Sequence, residues 1–374
     1  MDQKKMAIVS VINDLVTDQR VDKSCRLLTQ CGFDVLLVGR TLPQSPPLPK
    51  RDYKMHRFRL PVHKGPLFYA LFNLRLFFFL LGQKPSLLLA NDLDTLLPNY
   101  LAGRLKKIPL VYDSHEFFTE VPELIRRPWV RKVWLTIEKK IFPRLKHAIT
   151  VSPHIADSYS QKYGVPVEVV RNVPMKNRFR LTKTRKELNL PEDRKILILQ
   201  GNGINVQRGA EELVEAMQWV KDATLLIIGG GDVFSQLQLM SRDLNLTNRI
   251  IFVPRVSPET LYQYTALCDI GLTLEKDTNL NYRYSLPNKL FEYIHAGIPV
   301  IASGLPEVRR IVEQFDIGTF IPDHDPKSIA GVINEVIADE SRLSHWKANT
   351  AKAARQLYWE KESEPLKRIF ESYA

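Results

Sequence analysis

The chain has 374 residues, with 53 Lys+Arg against 41 Asp+Glu for a net charge of +12, and is 44% hydrophobic and 25% charged. At roughly 150 residues per domain this length suggests two domains, and an ordinary, evenly spread apolar content excludes wholesale disorder and a multispanning membrane protein. Cys25, Cys31 and Cys268 contain no C-x-x-C pair, so a disulfide framework and a structural zinc site are unsupported and small buried thiols in a reducing cytoplasm are expected.

Lys4 and Lys5 precede only a short apolar run, Met6 to Val11, before charge arrives at Asp14, which argues against a signal peptide and for a first strand. Short β-branched runs then alternate with amphipathic stretches, the pattern of βα units feeding a mostly parallel sheet. In the first half strands are expected near 5–11, 34–39, 86–92, 109–114, 148–152 and 167–172, with helices notably at 19–32 and 94–107. The stretch Pro66 to Leu81 is the most apolar of all, but Asn73 and Arg75 interrupt it and it falls short of the ~20 residues a spanning helix needs. A helix buried against the first sheet is the favoured reading, with an interfacial membrane contact as the alternative.

The polar segment around 173–180 suits a linker. Beyond it, strands are expected near 196–201, 224–230, 249–254, 269–274, 299–303 and 318–322. Helices are expected near 210–220, 233–245, 257–268, 286–297 and 325–339. Charge divides unevenly: residues 1–180 hold 30 Lys+Arg and 15 Asp+Glu, a balance of +15, whereas the remainder holds 23 and 26, a balance of −3. A field concentrated on one half attracts anions, whether anionic lipid or phosphorylated substrate. Nucleic acid is not expected, because no reader motif accompanies the charge.

Three groups of residues point to chemistry. In Ser285-Leu286-Pro287-Asn288-Lys289-Leu290-Phe291-Glu292, Ser285 is placed to cap a helix whose first turn accepts Pro287. Its free N–H groups and dipole suit a diphosphate, Lys289 adds a point charge, and Glu292 one turn on can accept from ribose hydroxyls. A solvated Lys–Glu ion pair is the plainer alternative. The loop Gly201 to Gly209 puts Asn202, Gly203 and Arg208 between a strand and a helix, and Gly229-Gly230-Gly231 follows another strand. Both can admit a ligand or simply turn the chain. Asp18-Gln19-Arg20, Asn91-Asp92-Leu93-Asp94 and Tyr112-Asp113-Ser114-His115-Glu116 sit at expected strand ends, where open α/β sheets assemble sites, with helix capping as the bland reading. His115 beside Glu116 lacks a third ligand for a metal.

In order, these segments resemble the family-4 glycosyltransferases, retaining enzymes of the GT-B fold. The resemblance runs from D-Q-R-V at 18–21 through A-N-D-L-D-T-L-L, V-Y-D-S-H-E and T-V-S-P to S-L-P-N-K-L-F-E-Y-I-H-A-G-I-P-V-I-A-S at 285–303, and the Trp359-Glu360 ending also matches. It implies an α/β chain of two Rossmann-like domains facing a central cleft. Residues 1–172 would bind the acceptor, 173–180 would link, 181–355 would bind a nucleotide sugar, and 356–374 would form a helix crossing back onto the first domain.

It also implies transfer of a hexose from a UDP- or GDP-sugar to a glycan or lipid-linked acceptor in cell-surface polysaccharide assembly, with no cofactor or metal required. The protein would be cytoplasmic, with peripheral contact to an anionic membrane surface. Arg208, Lys289 and His115 are the expected catalytic residues; Glu292, Leu290, Asn288, Gly203, Asn202, Gly230, Arg255 and Tyr284 are expected around the donor. Replacing Arg208 or Lys289 is expected to lower transfer with the fold intact. Two positions depart from the pattern: Tyr284 stands where the family has the first Glu of its E-x7-E motif, and Asn202 where many members have a second diphosphate-binding Arg. A sugar-nucleotide epimerase and an inactive, membrane-associated nucleotide-sugar-binding protein are the alternatives.

Overall fold

A computed structural model describes residues 5–176 and 179–374. Met1 to Lys4, and Asn177 and Arg178 of the expected linker, lie outside the described residues. The chain divides into two compact units, Met1–Asn172 with Ser363–Ala374, and Val173–Glu362.

The first unit is built on seven parallel strands: β1 (Met6–Ser10), β2 (Asp34–Arg40), β3 (Lys54–Phe58), β4 (Leu87–Asn91), β5 (Leu110–Ser114), β6 (His147–Thr150) and β7 (Val167–Val169). Their order is β3-β2-β1-β4-β5-β6-β7, with Val9 of β1 opposite Leu37 on one side and Leu89 on the other. Helices cover both faces of such a sheet, so its central strands are apolar without alternation; Ala7, Ile8 and Val9 are fully buried. β3 is absent from the sequence expectation because K-M-H-R-F carries three basic or imidazole side chains, a composition suited to an edge strand.

Helices α1 (Gln19–Gln30), α2 (Gly65–Gly82) and α3 (Leu93–Lys106) connect the first strands. Asp18 caps α1 by accepting from the Val21 amide at 3.1 Å. α2 is apolar on all sides, yet only Phe68, Phe72, Leu76 and Leu80, four residues apart on one stripe, are buried, while Leu67, Leu74 and Phe78 are exposed. With 18 residues it is long and apolar enough to cross a membrane by length and composition. The last helix, Glu364–Glu371, returns to this unit and buries Leu366, Ile369 and Phe370 on it. Lys5 Nζ then donates to the carbonyl oxygen of Tyr373 at 3.2 Å and to a main-chain oxygen of Ala374, the last residue, at 2.9 Å.

The second unit has six parallel strands: β8 (Lys195–Gly201), β9 (Ala223–Gly229), β10 (Ile250–Pro254), β11 (Ile270–Thr273), β12 (Val300–Ser303) and β13 (Gly318–Ile321). Their order is β10-β9-β8-β11-β12-β13. Leu197, Leu199, Leu225, Ile227, Leu272 and Ile301 form one side of its core, against Leu213, Met217, Leu237 and Ile333 from the covering helices. Each of the two units is Rossmann-like, an open parallel sheet whose strand order reverses once.

Candidate functional site

Doubly wound sheets gather ligands at the carboxyl ends of the strands where the strand order reverses. In the second unit that reversal lies between β8 and β11. The loop after β8 turns through Gln207 at φ 68° and Gly209 at φ 72°. A Cβ on Gly209 would stand 2.3 Å from the Leu274 carbonyl oxygen, so glycine is what lets this loop press against the end of β11. Arg208 is thereby carried beside the buried Glu275. Its guanidinium sits 5.3 Å from the centre of the Tyr282 ring, and its Nε is buried with no hydrogen-bond partner among the described residues.

Glu275 follows β11 and is held from two further sides. Thr273 Oγ1 donates to its Oε2 at 2.7 Å, and Lys289 Nζ lies 2.9 Å from its Oε1, with the lysine and glutamate side chains only 10% and 3% exposed. Burial alone would push the Glu275 carboxyl up; Lys289 first and Arg208 second outweigh it and hold the pKa below the usual value. Two cations therefore converge on one buried carboxylate.

Lys289 arrives on the helix Asn288–Ala296, which begins at Pro287 with no side-chain cap. Ser285 does not cap it: its hydroxyl donates to the Tyr282 carbonyl at 2.8 Å, closing the short helix Leu280–Arg283 instead. Leu290 has its side chain in the core and its N–H on the Pro287 carbonyl at 3.1 Å, whereas Asn288 is exposed. Glu292 accepts from Gln200 Nε2, and Gln200 Oε1 accepts in turn from Thr265 Oγ1 at 2.6 Å, so the carboxylate is braced over the end of β8. Tyr284 ends the short helix, its N–H on the Leu280 carbonyl at 3.1 Å. A second group forms where Arg255 Nη2 donates to the Asn202 carbonyl at 2.7 Å. Gly230 lies under that guanidinium, where a Cβ would meet Arg255 Nε at 2.9 Å; Gly203 continues the same loop beside Asn205.

In the first unit the strand order reverses between β1 and β4, and His115 lies beside the end of β4. Asp113, on β5, takes a two-pronged pair from Arg20 of α1, Nη2 to Oδ1 at 2.7 Å and Nε to Oδ2 at 3.0 Å, both side chains being buried. His115 stands between acids: Nδ1 is 3.4 Å from Asp92 Oδ2, Nε2 is 3.5 Å from Asp113 Oδ2 and 3.2 Å from Asn91 Oδ1, and the main-chain N–H donates to Asp92 Oδ1 at 2.8 Å. Burial would lower the His115 pKa, but Asp92 and Asp113 overcome it and raise the value to about 9. Asp92 itself holds φ 59° and ψ 166°, a conformation close to glycine-only backbone whose strain costs about 1–3 kcal/mol.

The family model for glycosyl transferases group 1 matches residues 181–353, and that for glycosyltransferase family 4 matches residues 19–174. The chain belongs to the family-4 glycosyltransferases. It is 24% identical to the phosphatidyl-myo-inositol mannosyltransferase of Mycobacterium leprae over 73% of this chain and 70% of that protein. Matches to two other curated relatives span 45% and 40% of their lengths, less than half of either. Among solved structures, sucrose-phosphate synthase from Thermosynechococcus elongatus superposes with a TM-score of 0.81 at 19% identity over 99% of both chains. HepE from Anabaena in complex with UDP-glucose superposes with a TM-score of 0.73 at 16% identity, over 98% of this chain and all of the other.

Both ring nitrogens of His115 face protein acceptors, an arrangement that suits an imidazolium bracing the ends of β4 and β5. A histidine titrating near 9 folded and near 6.5 unfolded stabilises the fold fully below about pH 6.5. That contribution disappears as the pH rises to about 9, with a full worth of about 3 kcal/mol. The melting-temperature advantage of wild type over His115→Gln is expected to fade across that interval. An advantage that stays level from pH 6 to 9.5, after the shared pH trend is subtracted, would refute the assignment.

Sequence reasoning missed Glu275 and Gln200. The signal for Glu275 was present, since D-I-G-L-T-L-E places a lone acid immediately after an apolar strand. Gln200 offered none, because a glutamine at the end of K-I-L-I-L-Q reads as the close of a strand until Thr265 and Glu292 are seen on either side of it.

Proposed function

We propose that this glycosyltransferase moves a hexose from a nucleotide-diphosphate sugar, UDP- or GDP-linked, to a hydroxyl of a glycan or lipid-linked acceptor, retaining the anomeric configuration without a required metal. The observation that carries the reading is the convergence of Arg208 and Lys289 on the single buried carboxylate of Glu275 where the second sheet reverses. Two cations on one anion leave a positive balance, and a buried Arg208 Nε–H without an acceptor gains a hydrogen bond from a phosphate oxygen. As the bond from the anomeric carbon to the diphosphate breaks, negative charge grows on the leaving group and these fixed donors stabilise it. The acceptor oxygen bonds the same face of that carbon, and its proton passes to the departing phosphate oxygen. Glu292, braced by Gln200, receives the ribose hydroxyls. His115 enters as a positioning residue through Asp92. Binding of UDP-glucose by HepE supports a nucleotide-sugar donor of this kind.

A thermal-shift panel of UDP-, GDP-, dTDP- and ADP-sugars tests the donor. The cognate sugar at about 100 times its dissociation constant is expected to stabilise the fold by about 2.7 kcal/mol, and Glu292→Ala is expected to lose most of that shift. No shift with any of the four would reject the reading, and rearrangement of the nucleotide sugar without an acceptor would favour an epimerase.

We further infer that this reaction takes place at a cytoplasmic membrane surface that presents the acceptor, a reading supported by the exposed Leu67, Leu74 and Phe78 of α2 and the basic balance of the first half. Cosedimentation at low salt is expected to favour anionic over neutral vesicles and to weaken in Leu74→Ser/Phe78→Ser; equal binding to both vesicle types would overturn it.

A further inference from the structure

A second basic site lies in the first unit at the opposite end of the sheet from His115. Lys5 precedes β1, Ser86 precedes β4, Pro109 precedes β5 and Lys146 precedes β6, and all four line one cavity of about 810 Å³. Because the sheet is parallel, these are the amino ends of its strands. Strands of five residues at 3.3 Å each put them roughly 15 Å from the carboxyl ends, where Asp92 and His115 stand.

The lining is cationic. Lys5, Arg104, Lys107, Arg144 and Lys146 contribute to it, and no aspartate or glutamate does. None of the five pairs with an aspartate or glutamate among the described residues. Lys5 donates to the main-chain oxygens of Tyr373 and of Ala374, the last residue, Arg144 donates to the Lys140 carbonyl, Arg104 and Lys146 lie over the rings of Tyr100 and Tyr373 at 6.0 and 5.6 Å, and Lys107 ends α3 in the left-handed conformation at φ 56°. The carboxyl ends of α3 and of the terminal helix bring about half a negative charge each and a carboxylate on Ala374 beside Lys5 one more, still short of the five cations. Like charges gathered in one concavity repel, and an anion that enters removes the repulsion while gaining charge-assisted hydrogen bonds. The volume falls in the range that holds a small organic ligand, about 300–1,000 Å³.

We propose that this cavity binds a phosphate-bearing ligand, separately from the donor site of the second unit. The phosphate belongs either to a soluble phosphorylated molecule or to a lipid headgroup. The inference stands independently of the transfer reaction, because no residue is shared between the two sites.

Calorimetric titration with inorganic pyrophosphate in an Arg208→Ala background separates them. With the donor cluster weakened, pyrophosphate is expected still to bind, and adding Lys107→Glu/Lys146→Glu is expected to weaken that binding about tenfold or more. The matched reversal Lys50→Glu/Lys64→Glu, outside the cavity, is expected to leave it unchanged. Sedimentation with phosphatidylglycerol-containing vesicles forms the second arm. Loss of vesicle binding in Lys107→Glu/Lys146→Glu, without pyrophosphate binding by the parent, assigns the phosphate to a lipid; the converse assigns it to a soluble ligand. If the cavity variant matches its parent in both measurements, or the control reversal lowers both equally, the proposal falls. Transfer activity of Lys107→Glu/Lys146→Glu with Arg208 intact is expected to equal wild type with a soluble acceptor.

Discussion

Arg208→Ala is expected to lower turnover about 100- to 1,000-fold, the usual cost of removing one preorganised donor to a developing anion, with little change in melting temperature. The two halves of that expectation have separate causes. Arg208 is half-buried, its Nε makes no hydrogen bond among the described residues, and its ring partner Tyr282 at 5.3 Å supplies only a modest cation–π contact. Removing it breaks no hydrogen bond among the described residues, and Glu275 keeps both Lys289 and Thr273, so the folded state loses only the weaker of the two cationic attractions on Glu275. What is lost is the charge that a diphosphate would meet. Arg208→Lys keeps the charge and loses the fork, so it should recover part of the rate but not all of it. A steady-state comparison with the cognate donor decides the matter: wild-type turnover in Arg208→Ala would remove this residue from the reaction.

Much of this arrangement is readable from the chain. The strands of both sheets show as apolar runs because both faces are covered, and the strand ends so located contain Arg20, Asp92, Asp113, His115, Arg208 and the residues around Gly230. What the pattern does not carry is pairing across distance. Arg20 and Asp113 are 93 positions apart and meet only because α1 packs beside the end of β5. Gln200 and Glu292 are 92 apart and meet only because β8 neighbours the helix that carries Glu292. Ser285 departs from the pattern for a local reason: a serine ahead of Pro287 matches a helix start, but the preceding turn takes its hydroxyl first. β3 escapes the apolar pattern because edge strands need not be apolar.

The pairing that sequence could not show changes one expectation. Lys289 and Arg208 look equivalent in the chain, and both were expected to be removable without harm to the fold. In the structure Lys289 is 10% exposed and pairs with Glu275, itself 3% exposed, so removing either partner strands a buried charge. Breaking such a pair costs about 3–5 kcal/mol, a fall of roughly 10 °C in melting temperature for a unit of this size. Glu275→Ala should show that loss in full, and Lys289→Ala should show a similar one together with reduced transfer. The double variant should be less destabilised than the sum of the singles, because neither charge is left behind.

The pH dependence has a fixed sign. Glu275 has a folded pKa held below its unfolded value of about 4.5 by Lys289 and Arg208 against the opposing effect of burial. Its contribution is therefore complete above about pH 4.5 and is lost as the pH falls through the folded value. The gap in melting temperature between wild type and Glu275→Ala should hold steady at neutral pH and close in acid. Nucleotide diphosphate offers an independent check: it brings negative charge to the two cations that Glu275 otherwise balances, so it should stabilise Glu275→Ala by more than it stabilises wild type. Equal stabilisation of the two would mean that the anion binds away from Arg208 and Lys289, and the donor assignment would fail with it.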